Sequence, residues 1–457
     1  MRETTKLRKV KTKELIELDK KHYIHPTTDP KALVQQGPSI IFSEGNGIYA
    51  NNMDGESYID GMSMLWNVNL GHGHTELAEA AKVQMEKMAY SSSFKGFSNE
   101  PAIRLAAKLA SLSPGDLEAV FYTSGGSESN DTAFKLSRFY WGLKGKPEKK
   151  KIIAMKDAYH GVTLASQTAT AIPAFHEFSG SNIEGFFHAI PHLTNCELGD
   201  KNDPKYPESI RAIIEREGAD TIAAVIIEPV QGAGGVNIPP EGYLRAVRDL
   251  CDEYDILFIA DEVICGFGRT GKMFGVENWD VVPDLMSIAK GITSGYSQLG
   301  AVLMNKKVRD VIVNYDGVLS HGFTYSGHPT ACAVALKNIE IIERDGILKN
   351  VQKMESVLKS GLHHLQEKHD FVTNCRAIGL LSAFDLYEDP NSGKLFDDSI
   401  AAAYAVVDEC FERKLILRAL GNHRIAIAPP LIINKQEVEK MINIIDDAIT
   451  AFKKKVG

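Results

Sequence analysis

From about residue 66 to residue 330, short and continuously apolar runs alternate with stretches whose apolar residues recur at helical spacing. AVFY at 119–122, KIIAM at 151–155, TIAAVII at 221–227, ILFIA at 256–260 and DLMSIA at 284–289 are strand-sized and nearly free of polar residues, the pattern of strands buried on both faces. Their alternation with helical patterns predicts an α/β core with a largely parallel sheet. Ahead of it, the turn-rich EGNGIYANNMDGESYIDG (44–61) predicts short strands in a hairpin or meander. Beyond about residue 331, helix-like ACAVALKNIEIIERDG and IAAAYAVVDECFERK flank short strands around LLSAFDL and RIAIAPP, which predicts a second, smaller α+β domain.

A polar or flexible cluster follows each apolar run of the core. GGSES comes after AVFY, Tyr159 and His160 shortly after KIIAM, Glu228 after TIAAVII, Asp261 after ILFIA, and Lys290 after DLMSIA. Open α/β sheets bind ligands in the crevice outside the carboxyl ends of their strands, so these clusters are predicted to meet in one pocket.

Charge and composition narrow the partners. The 457 residues carry 51 Lys plus Arg against 59 Asp plus Glu, a net charge of -8, which argues against nucleic acid and for small molecules. The longest aliphatic runs, such as IAAVII at 222–227, fall far short of a membrane span. The charged N-terminal segment lacks a secretory apolar core, and its acidic residues count against a transit peptide, so a soluble cytoplasmic protein is expected. Six scattered cysteines without a CxxC pair suggest neither disulfides nor zinc, and His72 and His74 lack a third ligand at metal spacing, so no metal is expected.

The chemistry begins with Asp261, which ends a strand too apolar to lie at the surface and therefore needs a positive partner. Two partners fit: Lys290 in a buried ion pair, or the protonated ring nitrogen of a cofactor. TSGGSESNDTAFKLSRFYW runs from Gly125 and Gly126 through Ser127 into a helical pattern. Such a turn offers backbone N–H groups and a positive dipole end to a phosphate, or is a plain N-cap by Ser127. GFGRTG at 266–271 matches a dinucleotide fingerprint but lacks its strand-turn-helix context, so its glycines are read as shaping a loop around the pocket. Tyr159 supplies a flat ring for stacking. Lysine, buried acid, phosphate cradle and aromatic plate together describe the needs of pyridoxal 5'-phosphate.

At this point the chain resembles the class III aminotransferases of the type I pyridoxal-phosphate fold. The likeness runs from GIYANNMDGESYIDGMSMLWNVNLGHGH through GGSESNDTAFKLSR, DAYHG, EPVQGAGG and FIADEVICGFGRTG to SIAKGITSGY, HGFTYSGHP and RIAIAPPL. It implies a large domain over 66–330 with a mainly parallel seven-stranded sheet, and a small domain formed by 331–457 with the N-terminal segment 1–65. By position, Lys290 implies the Schiff-base lysine that later moves a proton, and Asp261 the partner of the pyridine nitrogen. Val263 and Tyr159 imply the two ring faces, Glu228 a neighbour that orients polar groups, and Gly126 and Ser127 the phosphate site. Thr324 implies a phosphate ligand contributed across a homodimer interface. Relatives commonly read Ser-Gly-Ser where this chain has Gly125-Gly126-Ser127, a departure that shifts one donor to the backbone or to Ser124.

LWNVN and LILRALGNHRIAIAPPL are similar to the branch that uses pyruvate with ω-amino acids and amines. There Trp66 implies a pocket wall, and Arg418 a guanidinium that pairs with a carboxylate and swings out for an apolar amine. Ser93 stands near a position often aromatic in such relatives. Taurine, β-alanine and simple amines or diamines all suit this picture, with pyruvate as acceptor. An aminomutase, or a non-catalytic binding protein that keeps the fold, are the alternatives.

Overall fold

The computed structural model describes residues 2–180 and 182–456, with side chains from residue 12 onward. The predicted meander is present as antiparallel strands β1 (Phe42–Asn46), β2 (Tyr49–Asn52) and β3 (Ser57–Asp60). Strands β4 (Leu117–Thr123), β5 (Lys151–Met155), β6 (Phe186–Ala189), β7 (Ile222–Ile227), β8 (Leu257–Asp261), β9 (Leu285–Ile288) and β10 (Gly300–Asn305) form a seven-stranded sheet in the order β4-β10-β9-β8-β7-β5-β6. Only β10 runs against its neighbours. The five strands read from sequence are all in this sheet. β6 and β10 complete it.

Burial on both faces explains the unbroken apolar runs. Ile153, Met155, Val225, Ile227 and Phe258 face one layer of helices, whereas Ile152, Ala154, Ala223, Ile226, Leu257 and Ile259 pack against the other with Phe134, Leu136 and Trp141. The latter three belong to the helix Gly126–Leu143, which crosses the sheet over β7 to β10. Each fully buried aliphatic side chain contributes ~2 kcal/mol of transfer free energy, so the sheet is a rigid base for whatever its strand ends carry.

The smaller domain holds β11 (Val372–Ile378), β12 (Leu381–Leu386), β13 (Leu415–Ile416), β14 (Arg418–Leu420) and β15 (Arg424–Ile427). Four of these make an antiparallel sheet in the order β11-β12-β15-β14. β13 instead pairs in parallel with β3, which stitches the N-terminal meander to the C-terminal part of the chain.

The GFGRTG loop adopts no dinucleotide-binding turn; a single 3₁₀ turn, Gly275–Trp279, follows it. Its Arg269 is fully buried and donates to the carbonyls of Leu380 (3.0 Å) and Pro429 (2.6 Å), to Ser63 Oγ and to Asn69 Oδ1. The loop is thus a staple between the sheet and the smaller domain. It backs Gly291, where a Cβ would meet Phe267 Cβ at 3.2 Å and the Gly266 carbonyl at 3.3 Å.

Candidate active site

Asp261 is the last residue of β8, Glu228 follows β7 directly, Lys290 lies just past β9, Tyr159 and His160 follow β5, and Gly126 opens the helix after β4. With Ser127, Asn130, Gly161, Val263 and Ile264 they line one cavity of about 140 Å³. The predicted convergence of strand ends therefore occurs, and it gathers seven of the chosen positions, Gly126, Ser127, Tyr159, Glu228, Asp261, Val263 and Lys290, together with His160, which follows β5 but reads from sequence as a satisfied loop histidine.

Asp261 is buried and fixed by three donors. Its Oδ2 accepts from Asn130 Nδ2 at 2.7 Å and from His160 Nδ1 at 2.8 Å, and its Oδ1 accepts from the Val263 amide at 3.1 Å. Asn130 Nδ2 also donates to the His160 carbonyl at 2.7 Å, locking the two neighbours to each other. With Nδ1 spent on the carboxylate, His160 Nε2 is buried without a partner among the described residues.

Lys290 takes a left-handed backbone conformation, φ 44, which costs an L-residue ~1 kcal/mol and aims the amine off the strand axis. Among the described residues its Nζ has no hydrogen-bond or ion-pair partner, so the buried ion pair with Asp261, one of the two readings from sequence, is not formed. Burial lowers its proton affinity, Asp261 and Glu228 pull it back up, and the Arg418 charge lowers it further. A lysine whose amine is driven toward the neutral form is a nucleophile. Glu228 is pushed up to about 7 by burial, and its two oxygens accept from the amides of Tyr159 and Gly232, each at 2.9 Å.

The helix Gly126–Leu143 starts at Gly125 with no side-chain cap, so the first-turn amides are left for a ligand. A Cβ at Gly126 would lie 2.9 Å from Val263 Cγ1, which ties the glycine to the close approach of the two walls. Ser127 Oγ accepts from the Val162 amide at 3.1 Å. An uncapped helix start, an unpaired amine and a fixed carboxylate facing the same cavity fit the phosphate, aldehyde and ring nitrogen of pyridoxal phosphate.

Three chosen residues stand outside this cavity. Trp66 is buried, packed in a cluster with Val230, Val236 and the cavity-lining Ile264. Arg418, on β14, forms no ion pair with any described carboxylate; burial lowers its proton affinity, and the tyrosines Tyr159 and Tyr404 offset this. Thr324 is exposed, its carbonyl accepting from Tyr90 Oη at 2.8 Å. Ser93 lines a separate groove and bonds the Ser326 carbonyl at 2.8 Å. Sequence reasoning missed Asn130 and Ile264 and gave His160 no part in holding Asp261. Asn130 is one helical turn beyond Gly126, a spacing that puts it on the same face and was available as a signal.

Residues 32–449 match the family model of aminotransferase class-III. The chain belongs to the class III aminotransferases. This aminotransferase is 38% identical over 439 residues to the putrescine–pyruvate aminotransferase of Pseudomonas aeruginosa, with 95% of each chain covered. Its structure resembles that of a transaminase from the marine bacterium Virgibacillus at a TM-score of 0.93 and 49% identity, covering 97% of this chain and 100% of the other. It also resembles the ω-transaminase of Pseudomonas jessenii in complex with PMP, at a TM-score of 0.91 and 37% identity over 97% of this chain and 99% of that one. The class III aminotransferase is accordingly a pyridoxal-phosphate enzyme of the type I fold, as the resemblance implied.

Proposed function

We propose that the enzyme moves an amino group from an ω-amino acid or a simple amine, diamines included, to pyruvate, releasing alanine by a ping-pong cycle. The observation that carries this reading is Arg418 on β14, a partly buried guanidinium without a counter-ion among the described residues, whose charge acts on both Lys290 and Tyr159. A planar fork of fixed charge suits a carboxylate and is unsuited to an ammonium, so one site serves a keto acid and, with the side chain withdrawn, a carboxylate-free amine. The putrescine–pyruvate relative, 38% identical, is named for that pairing of a diamine with a keto acid.

Bound pyridoxal phosphate supplies the electrophilic carbon and the electron sink. Lys290 Nζ would hold that carbon covalently, and its amine would serve as the base for the proton transfer that the bound group makes possible. Asp261, held by Asn130 and His160, would pair with the ring nitrogen. Tyr159 and Val263, which line the cavity, would flank the ring, and Glu228 accepts from the Tyr159 amide. The amides at Gly126 and Ser127 would hold the phosphate, and in a homodimer Thr324 of the partner subunit would complete that site. Trp66 walls the substrate side.

The test is a half-reaction screen of the holoenzyme, in which the cofactor spectrum is followed as single donors or single keto acids are added. Amines, diamines and ω-amino acids should each convert the spectrum, and pyruvate should restore it. In Arg418→Ala the pyruvate step should weaken ~10- to 100-fold, the loss of a charge-assisted bidentate pair, and a carboxylate-free amine step much less. Equal losses for both steps would remove the role given to Arg418.

A further inference from the structure

Apart from Glu228, the EPVQGAGG segment has no part in the chemistry above, yet the loop at 232–236 that continues it is held from two sides. Two arginines of the smaller domain grip it from one side. Arg376 donates to the Gly235 carbonyl through Nε (3.1 Å) and Nη2 (2.5 Å) and to the Val236 carbonyl at 3.1 Å. Arg424 Nη1 donates to the Gly234 carbonyl at 2.8 Å. Asp385, 1% exposed, joins the two: its Oδ1 lies 2.9 Å from Arg376 Nη2 and 3.6 Å from Arg424 Nε, and its Oδ2 accepts from Asn374 Nδ2 at 2.8 Å.

The strand register shows why these three act together. Asp385 on β12 is directly opposite Arg424 on β15, Arg376 on β11 is opposite Ala383 on β12, and Arg418 on β14 is opposite Ala426 on β15. Side chains alternate between faces with a period of two, so Arg376, Asp385, Arg424 and Arg418 share one face of the sheet. Arg418 and Arg424 are diagonal neighbours on it.

On its other side the loop touches the cofactor wall. The Gly232 amide donates to Glu228 Oε2 at 2.9 Å, while Glu228 Oε1 holds the Tyr159 amide at 2.9 Å. A Cβ at Gly234 would meet the Asp157 carbonyl at 2.1 Å, one at Gly232 would meet Ile264 Cδ1 at 2.5 Å, and one at Gly235, whose φ is +134, would meet Arg424 Nη1 at 2.6 Å. The glycines are there because the loop is pressed between the arginines and the wall behind Tyr159.

We propose that Arg376, Asp385 and Arg424 are positioning residues: they fix the strand that carries Arg418 against the glycine loop and so set the selectivity of the site for carboxylate-bearing substrates. This rests on the reading that Arg418 receives the carboxylate. Guanidinium-to-carbonyl bonds have fixed geometry, so removing one lets β14 shift on the loop, and the bidentate fit of Arg418 is lost before any contact to the amine is affected.

A double-mutant cycle on the holoenzyme tests it, using wild type, Arg424→Gln, Arg418→Ala and the double variant, each assayed with pyruvate and with a carboxylate-free diamine. Arg424→Gln should raise the KM for pyruvate ~3- to 10-fold and leave kcat/KM for the diamine within about twofold. In the Arg418→Ala background, adding Arg424→Gln should change the pyruvate KM by less than about twofold, because the clamp acts through Arg418. Arg424→Lys, which keeps the charge facing Asp385 but loses the fork, carries the same test should the glutamine variant not give holoenzyme. Equal losses for pyruvate and diamine, or full additivity in the double variant, would overturn the clamp while leaving Arg418 its role. An Arg418→Ala variant that weakens both substrates alike would overturn both.

Discussion

At the residue scale, the site works by burying charge and leaving selected groups without partners. Among the described residues Lys290 has no ion-pair partner, Arg418 has no counter-ion, and His160 Nε2 has no bond. Two carboxyls are displaced in the opposite sense: burial pushes Glu228 up to about 7 and Glu262 up to about 8, against an ordinary 4.5. Glu262 is wholly enclosed, its oxygens accepting from the amides of Gly275 (2.7 Å) and Val276 (2.8 Å). A carboxyl whose pKa is raised by folding holds its proton more tightly in the folded than in the unfolded chain. Its contribution is fully present below about 4.5 and is lost as pH rises through about 8 for Glu262. Urea unfolding at pH values spanning that window should show wild-type stability falling as pH rises, by up to ~5 kcal/mol from this one group, with a shallower fall in Glu262→Gln. Parallel curves for the two proteins would assign the pH dependence elsewhere.

At the element scale, the helix Gly126–Leu143 is the part most constrained from both ends. Its apolar residues are committed to the sheet, and its first residue has room only for hydrogen beside Val263. Gly126→Ala should therefore leave the fold intact and weaken cofactor retention ~10-fold, as Val263 or the helix start moves by a few tenths of an ångström. Equilibrium dialysis against pyridoxal phosphate checks it, and unchanged retention would separate the cradle from this helix start. The same helix shows what sequence reveals and what it hides. Apolar runs are long enough to mark β5, β7, β8 and β9, and a catalytic side chain at a strand end announces itself because it breaks such a run. Asn130, Ile264 and the Arg376–Asp385–Arg424 set have no such signal. Asn130 is one polar residue in a polar first turn, Ile264 reads as core, and the three charged residues come from strands brought together only by pairing across the smaller sheet. β6 has no unbroken apolar run, and β10, although its AVLM at 301–304 is as apolar as AVFY, has no chemical residue at its end, so the sheet's width came only with the resemblance.

At the scale of the whole molecule, the loop that carries Thr324 is ordered but faces outward. Tyr90 bonds the Thr324 carbonyl, Ser93 bonds the Ser326 carbonyl and Ser326 Oγ bonds the Tyr122 carbonyl at 2.8 Å, while Val318, Phe94, Phe97 and Tyr325 are exposed around it. Exposed apolar side chains gathered around a pre-formed loop suit the proposed pairing of two copies. Sedimentation should give a species of twice the 50.2 kDa chain mass, and Thr324→Ala should remain a dimer but hold cofactor ~3- to 10-fold less tightly, the loss of one hydrogen bond to a charged group. A monomer with full activity would exclude a phosphate ligand shared between subunits.

The cavity draws its walls from strand ends spread between Thr123 and Lys290, with its acid, its amine, its helix start and its aromatic plate each supplied by a different one. The activity is therefore not portable as a motif: grafting the lysine turn, or even β8 and β9 with their loops, onto another scaffold would transplant an amine and an acid without the floor that sets their spacing. Redesign of this enzyme is better directed at the loops and the smaller sheet that border the cavity, leaving the seven strands as an indivisible chassis.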